Sequence, residues 1–208
     1  MWAFALLKSN FDYHAGSYAQ SCSSAVRVAI AAGLTHKPAL KRVQDMVEIA
    51  LFQPDIPQNC GAILRLAACL GVTTHIIGPT GFDLSDRALR RAGLDYLDRA
   101  ALLNHTSWAG FEVWRGESRE RRLVLATTKA DLSYSAFAFA AGDLLLFGRE
   151  SAGVPDDVHE TADARVLIPI VDGLRSLNVA TAAAMILGEA LRQTAGFPSA
   201  GRRAKVLL

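Results

Sequence analysis

A chain of 208 residues, 51% hydrophobic and 20% charged, has the make-up of one folded domain with a buried core, and no apolar run approaches the ~20 residues of a membrane span. Its cysteines, Cys22, Cys60 and Cys69, are odd in number and lack CxxC spacing, which argues against a disulfide framework or a zinc site and fits a reducing cytoplasm. A net charge of +2 excludes nucleic-acid binding through a broadly basic surface, so any such contact must come from local patches.

Residues 1–45 read differently from the rest. They are rich in Ala and Ser and show no strand–helix alternation. Lys8, Arg27, Lys37, Lys41 and Arg42 against Asp12 and Asp45 give this stretch +3, leaving −1 for the remainder. The apolar run Trp2–Leu7 is short and has no basic residue before it, which speaks against a secretory signal. A transit peptide is one reading of the segment. The preferred one makes Met46 the start of the folded domain and 1–45 an extension, disordered or mis-assigned to the chain; mass spectrometry of the native N-terminus decides between them.

From Met46 the chain alternates. Val47–Phe52 is a predicted strand. Pro57–Leu70 is a predicted helix, opened by a proline suited to a first turn, with Ile63, Leu66, Ala67 and Leu70 on one face and Gly71 as its stop. His75–Gly78 is a short strand, and 86–91 is a helix closed by Gly93. Arg122–Thr127, Asp143–Gly148 and Val166–Ile170 are predicted strands. Leu177–Thr194 is the last helix, with Ala180, Ala184, Leu187 and Leu191 as its apolar face and Ser176 as its cap. Near-continuous apolar strands separated by helices predict an α/β fold: a mostly parallel sheet with helices on both faces.

Ligands in such sheets bind where strands end, at the carboxyl edge. Three loops there carry unusual residues. The first runs from Pro54 into the opening helix and holds Asn59, Gly61 and Arg65, near a helix N-terminus that favours anions. The second, Phe147-Gly148-Arg149-Glu150-Ser-Ala-Gly153, has two glycines that let backbone N–H groups approach a ligand. It is neither a P-loop nor GxGxxG. The third is Ile168-Pro-Ile170 followed by Ser176-Leu177-Asn178. Read singly, each is also an ordinary capped turn.

In order, Asn59-x-Gly61-x-x-x-Arg65, Phe147-Gly148-x-Glu150-x-x-Gly153, and Ile168-Pro169 with Ser176-Leu177-Asn178 resemble the three signature motifs of SPOUT RNA methyltransferases. Phe52-x-Pro54-x-Ile56-Pro57-x-Asn59, His75-Ile-Ile, Gly81-Phe82, the segment 89–96 and Thr127-Thr-Lys129 are similar to the subfamily that 2′-O-methylates the wobble nucleotide of tRNA. The resemblance spans roughly 46–198, with Arg149 standing where that subfamily has proline.

The resemblance implies a C-terminal trefoil knot, S-adenosyl-L-methionine as cofactor, tRNA as substrate, a homodimer that completes the site across its interface, and neither a metal nor a membrane. Composition and periodicity alone predict no knot. The implied cofactor contacts are Ala126, Thr127, Gly148, Glu150, Gly153, Ile168, Ile170, Ser176 and Leu177. The implied catalytic set is Asn59, Arg65, Ser176 and Asn178. A guanidinium stays protonated, so Arg65 is assigned as a phosphate anchor that stabilises a developing alkoxide rather than as a base. Ser176 and Asn178 would orient the hydroxyl or the cofactor, and Glu150 would also hold the loop.

Arg87, Arg90 and Arg91 are the implied tRNA-backbone contacts; Arg119, Arg121 and Arg122 form a weaker patch, and Arg202, Arg203 and Lys205 a basic tail. His75 and Tyr96 are assigned to the core, and Cys60 has no neighbouring base that would make it a nucleophile. Competing readings are methylation of another tRNA or rRNA site, a non-catalytic RNA-binding protein on this fold, and a nucleotide-dependent oxidoreductase, the last disfavoured by the missing GxGxxG.

Overall fold

The computed structural model describes residues 46–83, 101–118 and 121–199. The readings made for 1–45, for the helix at 86–91 with Arg87, Arg90 and Arg91, and for Tyr96, Arg119, Arg202, Arg203 and Lys205 lie outside the described residues.

Six strands form one sheet: β1 (Glu48–Phe52), β2 (Thr74–Ile77), β3 (Leu102–His105), β4 (Leu123–Ala126), β5 (Leu144–Phe147) and β6 (Ala164–Val166), ordered β3-β2-β1-β5-β4-β6. Every pairing is parallel. The described helices are α1 (Pro57–Leu70), α2 (Trp108–Gly116), α3 (Asp156–Thr161) and α4 (Val179–Gln193). No helix among the described residues is long and apolar enough to cross a membrane.

Alternate side chains of each strand enter opposite cores. Ile49, Leu51, Ile76, Val124, Leu145, Phe147 and Val166 pack with Cys60, Ile63, Leu64 and Ala67 of α1 and with Ala183, Ile186, Leu187, Ala190 and Leu191 of α4. Ala50, Phe52, Ile77, Leu123, Leu125, Leu144 and Leu146 pack with Phe111 of α2 and Val158 of α3. Burial on both faces is why the central strands read as unbroken apolar runs.

Helix α1 matches its predicted bounds. Pro57 supplies a first-turn residue with no N–H to satisfy, and Gly71, at φ 69, takes the left-handed conformation that ends the helix. The C-terminal elements differ from expectation. The last strand is Ala164–Val166, not Val166–Ile170: beyond it Leu167 pairs with Leu132 and Tyr134 of a crossing loop, and Pro169 has no N–H to continue a ladder. Helix α4 starts at Val179, capped by Asn178 rather than Ser176, because the Asn178 Oδ1 accepts from the N–H groups of Ala180 at 2.8 Å and Thr181 at 3.3 Å. Its buried face is Ala183, Ile186, Leu187, Ala190 and Leu191, and the predicted Ala184 is exposed. Strand β3 and helices α2 and α3 were not foreseen. β3 is an edge strand with Leu103 and Asn104 exposed, so it carries no alternating apolar signal.

Candidate active site

The chain order places a topological switch between β1 and β5, the two central strands, and a cleft of about 680 Å³ opens at the carboxyl edge there. That volume suits a ligand of cofactor size. Its walls come from the residues after β4 (Thr127, Thr128, Lys129), the loop after β5 (148–154), the stretch after β6 (Ile168, Ile170), and the residues entering α4 (176–179), with Ile56 and Asn59 from the start of α1.

All the implied cofactor contacts line it: Ala126, Thr127, Gly148, Glu150, Gly153, Ile168, Ile170, Ser176 and Leu177. So do Asn59 and Asn178. Arg65 does not; it is exposed on α1, outside the cleft lining. Six residues separate it from Asn59, which turns it to another side of the helix.

The loop after β5 depends on its glycines. Gly148 packs so closely that a Cβ there would stand 2.6 Å from the backbone carbon of Gly153, and Gly153 has φ +67. Between them the N–H of Arg149 donates to Gly153 O at 3.0 Å and the N–H of Gly153 to Arg149 O at 2.8 Å. Arg149 thus supplies a backbone donor that a proline here would lack.

One chain of side-chain hydrogen bonds ties the three loops together. The Asn178 Oδ1 is committed to capping α4, so its Nδ2 faces outward and donates to Asn59 Oδ1 at 2.9 Å. That orients the Asn59 amide, whose Nδ2 donates to Glu150 Oε1 at 3.0 Å. Glu150 Oε2 accepts from the Asp55 N–H at 3.3 Å, and Asp55 returns the contact, taking the N–H of Glu150 at 3.2 Å and both the N–H and Oγ–H of Ser151. Gly81 presses on this turn, since a Cβ there would come within 2.9 Å of Asp55 Cα.

The two carboxyls titrate apart. Contact with the Glu150 carboxyl, aided by the donors of Ser151, holds Asp55 down at about 2. Burial, with the neighbouring Asp55, pushes Glu150 above the ordinary glutamate range. Burial and the charge of Glu150 push the Cys60 thiol up to about 12, so it supplies no thiolate near neutral pH.

Sequence reasoning missed Asp55, whose partners lie 95 and 96 residues away. Its only signal was position, one residue after Pro54 in the loop between β1 and α1. His159, which also lines the cleft, lay in a helix that had not been foreseen. His75 proves to be core, fully buried and hydrogen-bonded to Glu48 Oε2 at 2.7 Å and to His105 Nε2 at 3.0 Å.

Comparison with known proteins bears on this arrangement. The model of the SpoU rRNA Methylase family matches residues 46–188. A "tRNA (cytidine(34)-2'-O)-methyltransferase" of Beijerinckia indica is 62% identical over 145 residues, covering 70% of this chain and 90% of its own. The fold is also similar to a solved structure described as "Structural insights into the 2-OH methylation of C/U34 on tRNA", at TM-score 0.69 and 39% identity over 74% of this chain and 99% of that one. The SpoU methyltransferase AviRb from Streptomyces viridochromogenes, solved in complex with the cofactor AdoMet, is similar at TM-score 0.67 and 30% identity over 76% of this chain and 66% of its own. The chain belongs to the SpoU rRNA methylase family, with its six-stranded parallel sheet and motif loops gathered round one cleft.

Proposed function

We propose that this chain transfers the methyl group of S-adenosyl-L-methionine to the ribose 2′-hydroxyl of the wobble nucleotide, position 34, of tRNA. The observation that carries the reading is the hydrogen-bond chain Asn178–Asn59–Glu150–Asp55 across three motif loops at one cleft. The names of the relatives support the substrate, and the AdoMet complex of AviRb supports the methyl donor.

The cleft's own residues fit that cofactor. Leu125, Ile168, Leu177 and Val179 give apolar contact for a purine, and the close approach of Gly148 to Gly153 leaves backbone rather than side chain at the wall. When bound, S-adenosylmethionine supplies a methyl already activated on a sulfonium. The remaining work is placement of the ribose hydroxyl and removal of its proton. Ala126, Thr127, Gly148, Gly153, Ile168, Ile170 and Leu177 hold the cofactor. Each of the Asn59 and Asn178 amides spends one N–H on the chain of bonds and keeps a second for the ribose hydroxyl; Ser176 assists in orienting it. Glu150 and Asp55 fix those amides.

The rest of the reading concerns larger-scale features. It includes a trefoil knot in the C-terminal part, a methyltransferase domain over 46–208 with 1–45 as an extension, tRNA-backbone contacts from Arg87, Arg90 and Arg91, and a cytoplasmic location. It also includes a homodimer. Val171 and Leu174, 76% and 68% exposed beside the cleft, support an interface there. In that dimer Arg65 anchors a substrate phosphate at the composite site. Light scattering should give twice the chain mass; a monomer mass counts against the dimer.

Incubation with unmodified tRNAs and isotope-labelled cofactor, followed by nucleoside mapping, tests the function. Label in a 2′-O-methylated nucleoside at position 34 is expected. Label elsewhere in tRNA or only in rRNA, or none, overturns the assignment.

A further inference from the structure

Two non-glycine residues among the described ones have a positive φ, Gln53 at 45 and Ala195 at 49. Ala195 follows the last turn of α4, where a left-handed residue is the ordinary way for a helix to end. Gln53 has no such setting. It stands one residue past β1, and Pro54 follows it. A side chain disfavours this φ, and a following proline drives its neighbour towards extended backbone. A conformation that is costly on both counts persists only where the surrounding contacts impose it.

The contacts that impose it are made by the backbone. The Gln53 N–H donates to Ile77 O at 2.8 Å, extending the β1–β2 ladder, and Pro54 O accepts from the Gly81 N–H at 2.9 Å. The Gln53 side chain adds little, since its Nε2 lies 3.4 Å from Gly78 O, beyond the usual range for such a bond. Residues 53 and 54 are thus tied to the chain after β2. Asp55, the next residue, is tied to the loop after β5: it takes the N–H groups of Glu150 and Ser151, and its own N–H donates to Glu150 Oε2. β1 lies between β2 and β5, so this short turn bridges the strands on either side. Pro54 cannot absorb a change of direction at Gln53, because its ring fixes φ. The direction in which the chain leaves Gln53 therefore sets where Asp55 arrives.

We propose that Gln53 is a positioning residue for methyl transfer: its left-handed backbone, carried through Pro54, holds Asp55 against the loop that bears Glu150. This rests on the function proposed above, in which Glu150 orients Asn59, and Asn59 in turn takes the Asn178 amide. The role requires the backbone conformation rather than the glutamine side chain. Glycine adopts this φ freely, and a β-branched residue resists it most.

The test compares the full chain as wild type, Gln53→Gly, Gln53→Ala and Gln53→Val. Its readouts are the carboxyl NMR titration of Asp55, single-turnover methyl transfer to tRNA, and calorimetric affinity for S-adenosylmethionine. In wild type, contacts with Glu150 and Ser151 hold Asp55 down at about 2. Gln53→Gly should keep that low midpoint and the wild-type rate, although it removes the whole side chain. Gln53→Val should return Asp55 towards 3.8 and slow transfer about tenfold, with donor affinity unchanged, a split that general unfolding would not produce. Gln53→Ala should fall between them, and it carries the comparison if the valine variant does not fold. Glycine behaving like valine would assign the role to the side chain and overturn the proposal. So would a midpoint near 2 in all four proteins, or a raised midpoint with an undiminished rate. If wild type transfers no methyl to position 34 while the titrations keep this order, the proposed function falls and the hold of Gln53 on Asp55 stands.

Discussion

Two chains of hydrogen-bonded side chains cross this sheet, and they differ in what encloses them. On the α2 face, Glu48, His75 and His105 link β1, β2 and β3, walled in by Phe111 and Trp114, whose rings lie 5.9 and 4.2 Å from His75. At the carboxyl edge, Asp55, Glu150, Asn59 and Asn178 link three loops beside an open cleft. The first network centres on the fully buried His75, with Glu48 and His105 partly covered at its ends, and it holds the edge strand β3 in place. The second uses similar bonds but leaves donors facing a space that a substrate can enter. Access, not the kind of bond, separates a structural polar cluster from a functional one.

The largest effects should come from the cleft. Asn178→Asp keeps an oxygen to cap α4 but removes the donor to Asn59, so helix stability should hold while methyl transfer falls by about a hundredfold or more. Single-turnover rates and a thermal melt measure the two separately; a parallel loss of both would show that Asn178 is only a cap. Gly148→Ala should remove cofactor binding, since its Cβ would meet Gly153 backbone that cannot swing aside. Calorimetry showing unchanged affinity would contradict the close packing.

The network centred on His75 should answer in stability instead. His75→Phe leaves Glu48 and His105 without their shared partner in the core and should cost about 2–4 kcal/mol in denaturant unfolding, with cofactor affinity retained in the folded fraction. Lost affinity at full folding would mean that the two networks are coupled.

The smallest effects are those of pH. Burial, then His75, lowers His105 below the ordinary histidine value, so its contribution is present above about 6.5 and is lost as pH falls through the lowered value. Asp55, lowered to about 2, contributes above its ordinary value of 3.8 and loses that contribution towards 2. Glu150 acts with the opposite sign, stabilising below its ordinary 4.5 and less so as pH rises through its elevated value. Melting curves of His105→Phe should lose the step below about 6.5, and those of Asp55→Asn the step below 3.8 while also moving the Glu150 step, which Asp55 helps to raise; an Asp55→Asn curve that keeps the acid step would contradict this assignment.

Legibility in the sequence followed burial. β1, β4 and β5 are covered on both faces, so their apolar runs marked them to within a residue or two, and Pro57 and Gly71 bracketed α1. β3 was illegible because an exposed edge strand needs no apolar pattern. The α4 cap was misplaced because Ser176 and Asn178 are both good caps, and in the structure it is the Asn178 Oδ1 that takes the N–H groups of Ala180 and Thr181. The loop residues were legible as motifs, whereas the Asp55–Glu150 clasp joins residues 95 apart and leaves no local trace. Arg65 was named from its motif, yet it stands exposed on α1 outside the lining of the cleft.

The central claim is tested most directly with two tRNAs that differ at one oxygen. A transcript with a ribonucleotide at position 34 should accept one methyl group, and the same transcript with 2′-deoxycytidine there should accept none. Equal labelling of both would contradict methyl transfer to that hydroxyl.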